Sequence, residues 1–246
     1  MPKLEISKVH DAYAEHGECP LCSLMDSAEK TCLVSFQGSR VMEPNVRVQT
    51  NKMGFCPDHY RKLYRGENKL GLSLVVHTHL QEKLPRLAAA LEGAVKEAEA
   101  ALSRKSKDAG ARPLDPILRF LDEMRESCFI CGLLAVDLDR YLFTIVYLWK
   151  QDPGFREVLR ASRGFCLVHV RRLFEYARDA LKARELAGFL EDVVPLMTGS
   201  LARLEREIFG FTQLFHDSNR SLGSDAERTA LARTLQKLSG STMKPE

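Results

Sequence analysis

Two short blocks of this sequence carry the same chemistry. Gly54-Phe55-Cys56-Pro57-Asp58-His59 recurs as Gly164-Phe165-Cys166-Leu167-Val168-His169, and a Cys-x-x-Cys pair lies upstream of each: Cys19-Pro20-Leu21-Cys22 and Cys128-Phe129-Ile130-Cys131. Three thiolates and one imidazole, arriving as two short-spaced pairs, are the donor set of a tetrahedral Zn²⁺ site. The sequence therefore predicts two Cys₃His centres and two Zn²⁺ per chain, held by Cys19, Cys22, Cys56, His59, Cys128, Cys131, Cys166 and His169. Spacing leaves open whether each ion takes both pairs from one half of the chain or one pair from each.

Four protein donors fill a tetrahedral shell, so no position is left for the water or substrate that hydrolytic zinc chemistry needs. This favours a structural ion over a catalytic one. The alternative cofactor is an iron–sulfur cluster on the same ligands, which would suit a redox or electron-transfer accessory protein. A c-type haem is excluded because Ser23 and Gly132, not His, follow the Cys pairs. A thioredoxin-like dithiol would need a βαβ frame, and no strand alternation flanks either pair. Cys32 is left outside the duplicated pattern and reads as a buried thiol.

The elements that must position these residues read as helices. Ile6, Val9 and Tyr13 have helical spacing over 5–15, and Pro20 opens a helix running to about Phe36. A less regular segment surrounds Pro44, and Cys56 starts another helix with Pro57 in its first turn. A helical pattern over 67–103 contains Pro85, which removes an amide donor and crowds the preceding turn, predicting a kink or break. Asp115-Pro116 reads as a helix start.

The second half follows the same plan. A shift of 109 positions places Cys19 and Cys22 on Cys128 and Cys131, and Pro44 on Pro153; a shift of 110 places Cys56 and His59 on Cys166 and His169, and Pro85 on Pro195. The fold class is thus all-α, two tandem helical repeats each with a Cys₃His site, forming a paired bundle. The expected divisions are a first repeat at 1–103, a basic, breaker-rich linker at 104–114, a second repeat at 115–217 and a C-terminal piece at 218–246. That last piece comprises a loop at 218–223, a capping box at Ser224-Asp225-Ala226-Glu227, a short amphipathic helix through Leu231, Leu235 and Leu238, and a frayed tail.

The chain has 246 residues, 45% hydrophobic, and a net charge of +3, enough apolar content for a globular core and too little charge to require nucleic acid. With no signal-peptide core or membrane-length apolar run, a cytoplasmic location is expected. Arg160, Arg163, Arg171 and Arg172 near one block, and Arg61, Lys62 and Arg65 near the other, read as solvated helix faces rather than phosphate contacts. His77 and His79, two apart on a helix, point in different directions and cannot share an ion. No Ser-His-Asp set, phosphate loop or carboxylate pair supports a reaction. A non-enzymatic binding or adaptor module, with a protein rather than nucleic acid or membrane as partner, is the reading that results.

The doubled Cys-x-x-Cys and Gly-Phe-Cys-x-x-His pattern also has a shared tail, Arg61-Lys62-Leu63-Tyr64 and Arg171-Arg172-Leu173-Phe174. Together these motifs resemble a family of bacterial proteins, often from anaerobes, known only as a domain of unknown function. The resemblance spans about residues 19–212. It implies the metal ligands and assigns no activity, substrate or partner.

Overall fold

A computed structural model describes residues 4–103, 114–215 and 223–240. All but the last residue of the expected linker at 104–114, and most of the expected 218–223 loop and C-terminal tail, fall outside these residues. The described chain is all-α: α1 (Ile6–Ala14), α2 (Pro20–Gln37), a 3₁₀ turn (Ser39–Met42), α3 (Pro44–Met53), α4 (Pro57–Arg65), α5 (Lys69–Ser103), α6 (Asp115–Glu126), α7 (Phe129–Gln151), α8 (Pro153–Ala161), α9 (Leu167–Ala180), α10 (Ala183–Gln213), α11 (Asp225–Arg228) and α12 (Ala230–Ser239). None of the described helices is long and apolar enough to cross a membrane.

Local chemistry accounts for most boundaries. Proline occupies the first turn of α3, α4, α6 and α8, where its missing N–H costs nothing. The Asp152 carboxylate accepts from the Gly154 and Phe155 amides to cap α8. The segment around Pro44 is more regular than expected, because Pro44 opens α3 directly after the 3₁₀ turn. Pro85 and Pro195 do not end their helices either: α5 and α10 run through them as single elements of 35 and 31 residues. Around Pro195 the face of α10 formed by Phe189, Val193, Met197 and Ser200 is buried, and its packing offsets the lost hydrogen bond, whereas Pro85 lies on an exposed stretch of α5.

The described residues separate into two compact units. The first joins 1–28 to 136–246, and the second is the continuous stretch 29–135. Each unit therefore draws on both halves of the sequence, and the boundaries cut through α2 and α7 rather than falling in the basic stretch at 104–114.

In the first unit Val9 and Tyr13 of α1 and Leu21 of α2 pack with Leu142, Ile145 and Trp149 of α7, Phe155 of α8, Leu173 of α9 and Phe189 of α10. Edge-to-face rings at Tyr13–Phe155 and Trp149–Phe189, with centroids 5.1 and 5.2 Å apart, fix this core. In the second unit Phe36 of α2 meets Phe55 and Phe129 edge-on, at 5.6 and 5.7 Å, among Val46, Leu63, Val75 and Ile130. The α12 helix forms where expected but turns the other way. Leu231, Leu235 and Leu238 are exposed, and its buried residues are Ala230 and Lys237.

Candidate metal centres

Both Gly-Phe-Cys blocks fold alike. Gly54 and Gly164 have φ of 62° and 74°, in the left-handed region open to glycine. A side chain at Gly54 would also collide with the His79 ring, whose atoms lie 2.9 Å from the place a Cβ would occupy. The turn delivers Phe55 or Phe165 into its unit's core. Next comes Cys56 or Cys166 as the N-cap of α4 or α9, with φ −69° in both. His59 and His169 then lie one turn along the helix, on the same face as the cysteine.

The Cys-x-x-Cys pairs sit at the first turns of α2 and α7. The first centre brings Cys19, Cys22, Cys166 and His169 together, and the second Cys56, His59, Cys128 and Cys131. In each set the four donor atoms lie within 4.8 Å of one another, so each could hold a metal ion. All eight sequence-predicted ligands are placed in these sets, and of the two pairings that spacing left open the crossed one is found. Each centre takes its Cys-x-x-Cys from one half of the sequence and its Cys-x-x-His from the other. Each also lies within a single compact unit.

The internal geometry of the two is nearly the same. Cys19, Cys22 and Cys166 Sγ lie 3.4, 3.5 and 3.2 Å from His169 Nδ1, and Cys22 Sγ lies 3.7 Å from Cys166 Sγ. In the second centre Cys56, Cys128 and Cys131 Sγ lie 3.2, 3.3 and 3.4 Å from His59 Nδ1, with Cys56 and Cys131 Sγ 3.8 Å apart. These sulfurs are too far apart for a disulfide, which needs about 2.05 Å. None of the seven cysteines is in a disulfide. Nδ1 is the ring nitrogen that faces the sulfurs in both.

The electrostatics follow from this crowding. Burial works to lower the pKa of His59, but hydrogen bonds to the Cys128 sulfur and to Glu29 raise it to about 10. His169 is likewise raised to about 10 against the pull of burial, by Cys166 and Cys19. Burial pushes Cys128 up, yet its bond to His59 brings it down to about 6, while Cys131, partly desolvated beside that thiolate, is pushed up to about 12. In the first centre the bond to Cys166 drives Cys22 upward, and Cys166 itself is held down by its bonds to Cys19 and Cys22. Without an ion, each cluster thus shares its protons so that a thiolate faces an imidazolium.

Supporting residues differ between the two, and spacing alone does not reveal them. His59 Nε2 donates to Glu29 Oε1 at 3.0 Å, and Lys62 Nζ holds both oxygens of Glu29 at 2.6 Å. That bond fixes the proton on Nε2 and leaves Nδ1 free for an ion. The His59 bond, with Lys62, lowers Glu29 to about 2. Position 138, 109 further on, is a leucine, so the first centre has no equivalent carboxylate there. Ser127 Oγ donates to the Met53 carbonyl at 2.6 Å and the Phe129 amide to Gly54 O at 3.0 Å, tying the start of α7 to the glycine turn.

In the first centre that tie is made by a buried lysine. Lys237 of α12 is fully buried, and its Nζ donates to the Glu18 carbonyl at 2.8 Å and to the Arg163 carbonyl. Those carbonyls precede Cys19 and Gly164, so one ammonium clasps both ligand-bearing turns. The buried Glu18 carboxylate meets Arg203 at 2.6 Å, Arg233 at 3.1 Å and Arg163 at 3.2 Å. Burial opposes its ionisation, but the Arg203 bond prevails and its pKa is lowered. At the end of α12, Gly240 O lies 3.5 Å from Cys22 Sγ. A Cβ on Gly240 would come within 3.1 Å of Val168 and 3.4 Å of Cys166 Sγ, so only glycine fits this close approach.

The remaining candidates are placed elsewhere. Cys32 packs in the second unit's core, outside both donor sets, and His79 Nδ1 donates to the Asn51 carbonyl, 2.7 Å away. Six of the seven cations near the blocks are engaged by carboxylates: Arg61 by Asp58, Lys62 by Glu29, Arg160 by Asp192, Arg163 by Glu18, Arg171 by Glu175 and Arg172 by Asp139.

The chain belongs to DUF6062, a family of unknown function, whose family model matches residues 2–245. No curated protein and no solved structure matches it.

Proposed function

We infer that the two centres hold one structural Zn²⁺ each, and that the protein is a metal-stapled, all-helical binding module built from two copies of one helical unit. The observation that carries this reading is the spacing of the donor atoms. Zn–S bonds of about 2.3 Å and a Zn–N bond of about 2.0–2.1 Å set the sulfurs of a tetrahedron about 3.8 Å apart and each sulfur about 3.5 Å from the nitrogen. The sulfurs here stand 3.7 and 3.8 Å apart, and the sulfur–nitrogen distances run from 3.2 to 3.5 Å. Such a shell suits a single ion, whereas a cluster of several irons spreads its ligands around a wider perimeter. Three thiolates and one imidazole suit zinc, and four protein donors leave no vacancy for turnover.

The order of helices supports duplication: α1 to α5 and α6 to α10 run in parallel, with prolines opening α3 and α8 and lying inside α5 and α10. A protein partner is favoured over nucleic acid because six of the seven cations flanking the blocks are paired with carboxylates, while the leucines of α12 are exposed. Elemental analysis of protein purified without oxygen tests the metal assignment. Two zinc ions in a colourless protein are expected; iron with visible absorption, or fewer than two ions, contradicts it.

A further inference from the structure

We propose that the edge of the second centre formed by Cys131 and Cys56 is a site of oxidation by hydroperoxides, at which a Cys56–Cys131 disulfide forms and the ion is released, while the first centre keeps its own. This rests on the metal-centre reading above. The two centres match in internal geometry, with one pair of sulfurs at 3.7 Å in the first and at 3.8 Å in the second. They differ in access. All four ligands of the first are buried, and Gly240 at the end of α12 lies over Cys22 and Cys166. In the second, Cys131 is exposed and Cys56 half-buried, while Cys128 and His59 are buried.

Oxidation selects thiolates that are both ionised and reachable. Coordination supplies the ionisation in both centres, so access decides between them. The Cys131 thiolate attacks one peroxide oxygen, breaking the O–O bond; Cys131 becomes a sulfenic acid and the departing alkoxide or hydroxide takes a proton from water. The Cys56 thiolate, 3.8 Å away, then attacks that sulfur and displaces hydroxide, which is protonated to water. Two sulfurs give up two electrons, and one hydroperoxide is reduced. The ion loses two of its four ligands, and Cys128 with His59 cannot hold it alone.

The test uses the full chain loaded with zinc. Hydrogen peroxide is added in the presence of a chromogenic chelator, and disulfides are mapped by mass spectrometry. One ion per chain should appear about tenfold faster than the other or more, together with a Cys56–Cys131 disulfide, and a dithiol reductant should restore uptake. Release of both ions at rates within tenfold, release of neither, or a disulfide through Cys128 or Cys32 overturns the inference. The Cys32→Ala chain, expected to respond as the parent does, keeps the mapping unambiguous. Fewer than two ions before peroxide contradicts the centres themselves; two ions at the outset followed by an overturning result contradicts only the oxidation site.

Discussion

Cys22 Sγ lies 3.7 Å from Cys166 Sγ although 144 residues of chain separate them. The second centre repeats this across 75 residues, from Cys56 to Cys131. Neither half of the sequence can complete a centre alone, so an ion held there would cross-link distant segments of each unit. Cys22→Ser should therefore loosen α9, in the other half, as much as α2. Hydrogen exchange is expected to quicken in both helices, with the melting temperature lower by about 10 °C or more. Exchange confined to α2 would contradict the cross-link.

Glu29 is the carboxylate that orients His59, and Glu29→Gln keeps its shape while weakening the acceptor. Outer partners of this kind typically contribute about 10- to 100-fold in metal affinity. Competition with a chelator should show that loss at the second centre only, since the first has Leu138 at the matching position. Equal weakening of both centres would count against the role given to Glu29.

Lys237→Met removes the buried ammonium that clasps the turns before Cys19 and Gly164. Two buried carbonyls lose a donor, at a cost of about 1–3 kcal/mol, or roughly 3–10 °C in melting temperature. Glu18 keeps its three arginines, so the fold should survive. Chelators should then strip the first centre faster than in the parent chain and the second at the parent rate. An unchanged stripping rate at the first centre would show that Lys237 does not hold it closed.

Ion uptake should release protons, and the pKa shifts give the direction. In the ion-free second cluster His59 titrates at about 10 and Cys131 at about 12, so at pH 7 both carry a proton that an ion must expel. Affinity should therefore climb as pH rises, about a hundredfold per unit for these two protons between pH 6 and 10. The sign reverses for the stability of the ion-free protein. A histidine raised from 6.5 to about 10 contributes fully below 6.5, and that contribution is lost as pH rises through 10. Calorimetry in two buffers of different protonation enthalpy measures the release; none at pH 7 would refute it.

The ligands were legible because their types and short spacings are set by the metal's own geometry, which a sequence displays directly. Which pair meets which was not, because the 33 and 34 residues between the pairs of each half are enough for a pair to close on its neighbour or to remain free for the other half. Leu231, Leu235 and Leu238 mark an amphipathic helix in the sequence, yet α12 leaves them exposed and buries Lys237. Periodicity registers apolar side chains and is blind to an ammonium whose donors meet backbone carbonyls. The local penalty at Pro85 is visible in sequence, but it does not break the helix: α5 continues through Pro85 as α10 does through Pro195. Glu29 had no sequence signal, since its only link to His59 is through space.

Zinc content of two double variants tests the crossed pairing most directly. Cys22→Ser with Cys166→Ser removes two ligands of one centre and should leave one ion per chain, whereas Cys22→Ser with Cys56→Ser removes one ligand from each and should leave none tightly bound. Pairing within each half of the sequence would give the opposite result: none in the first variant and one in the second.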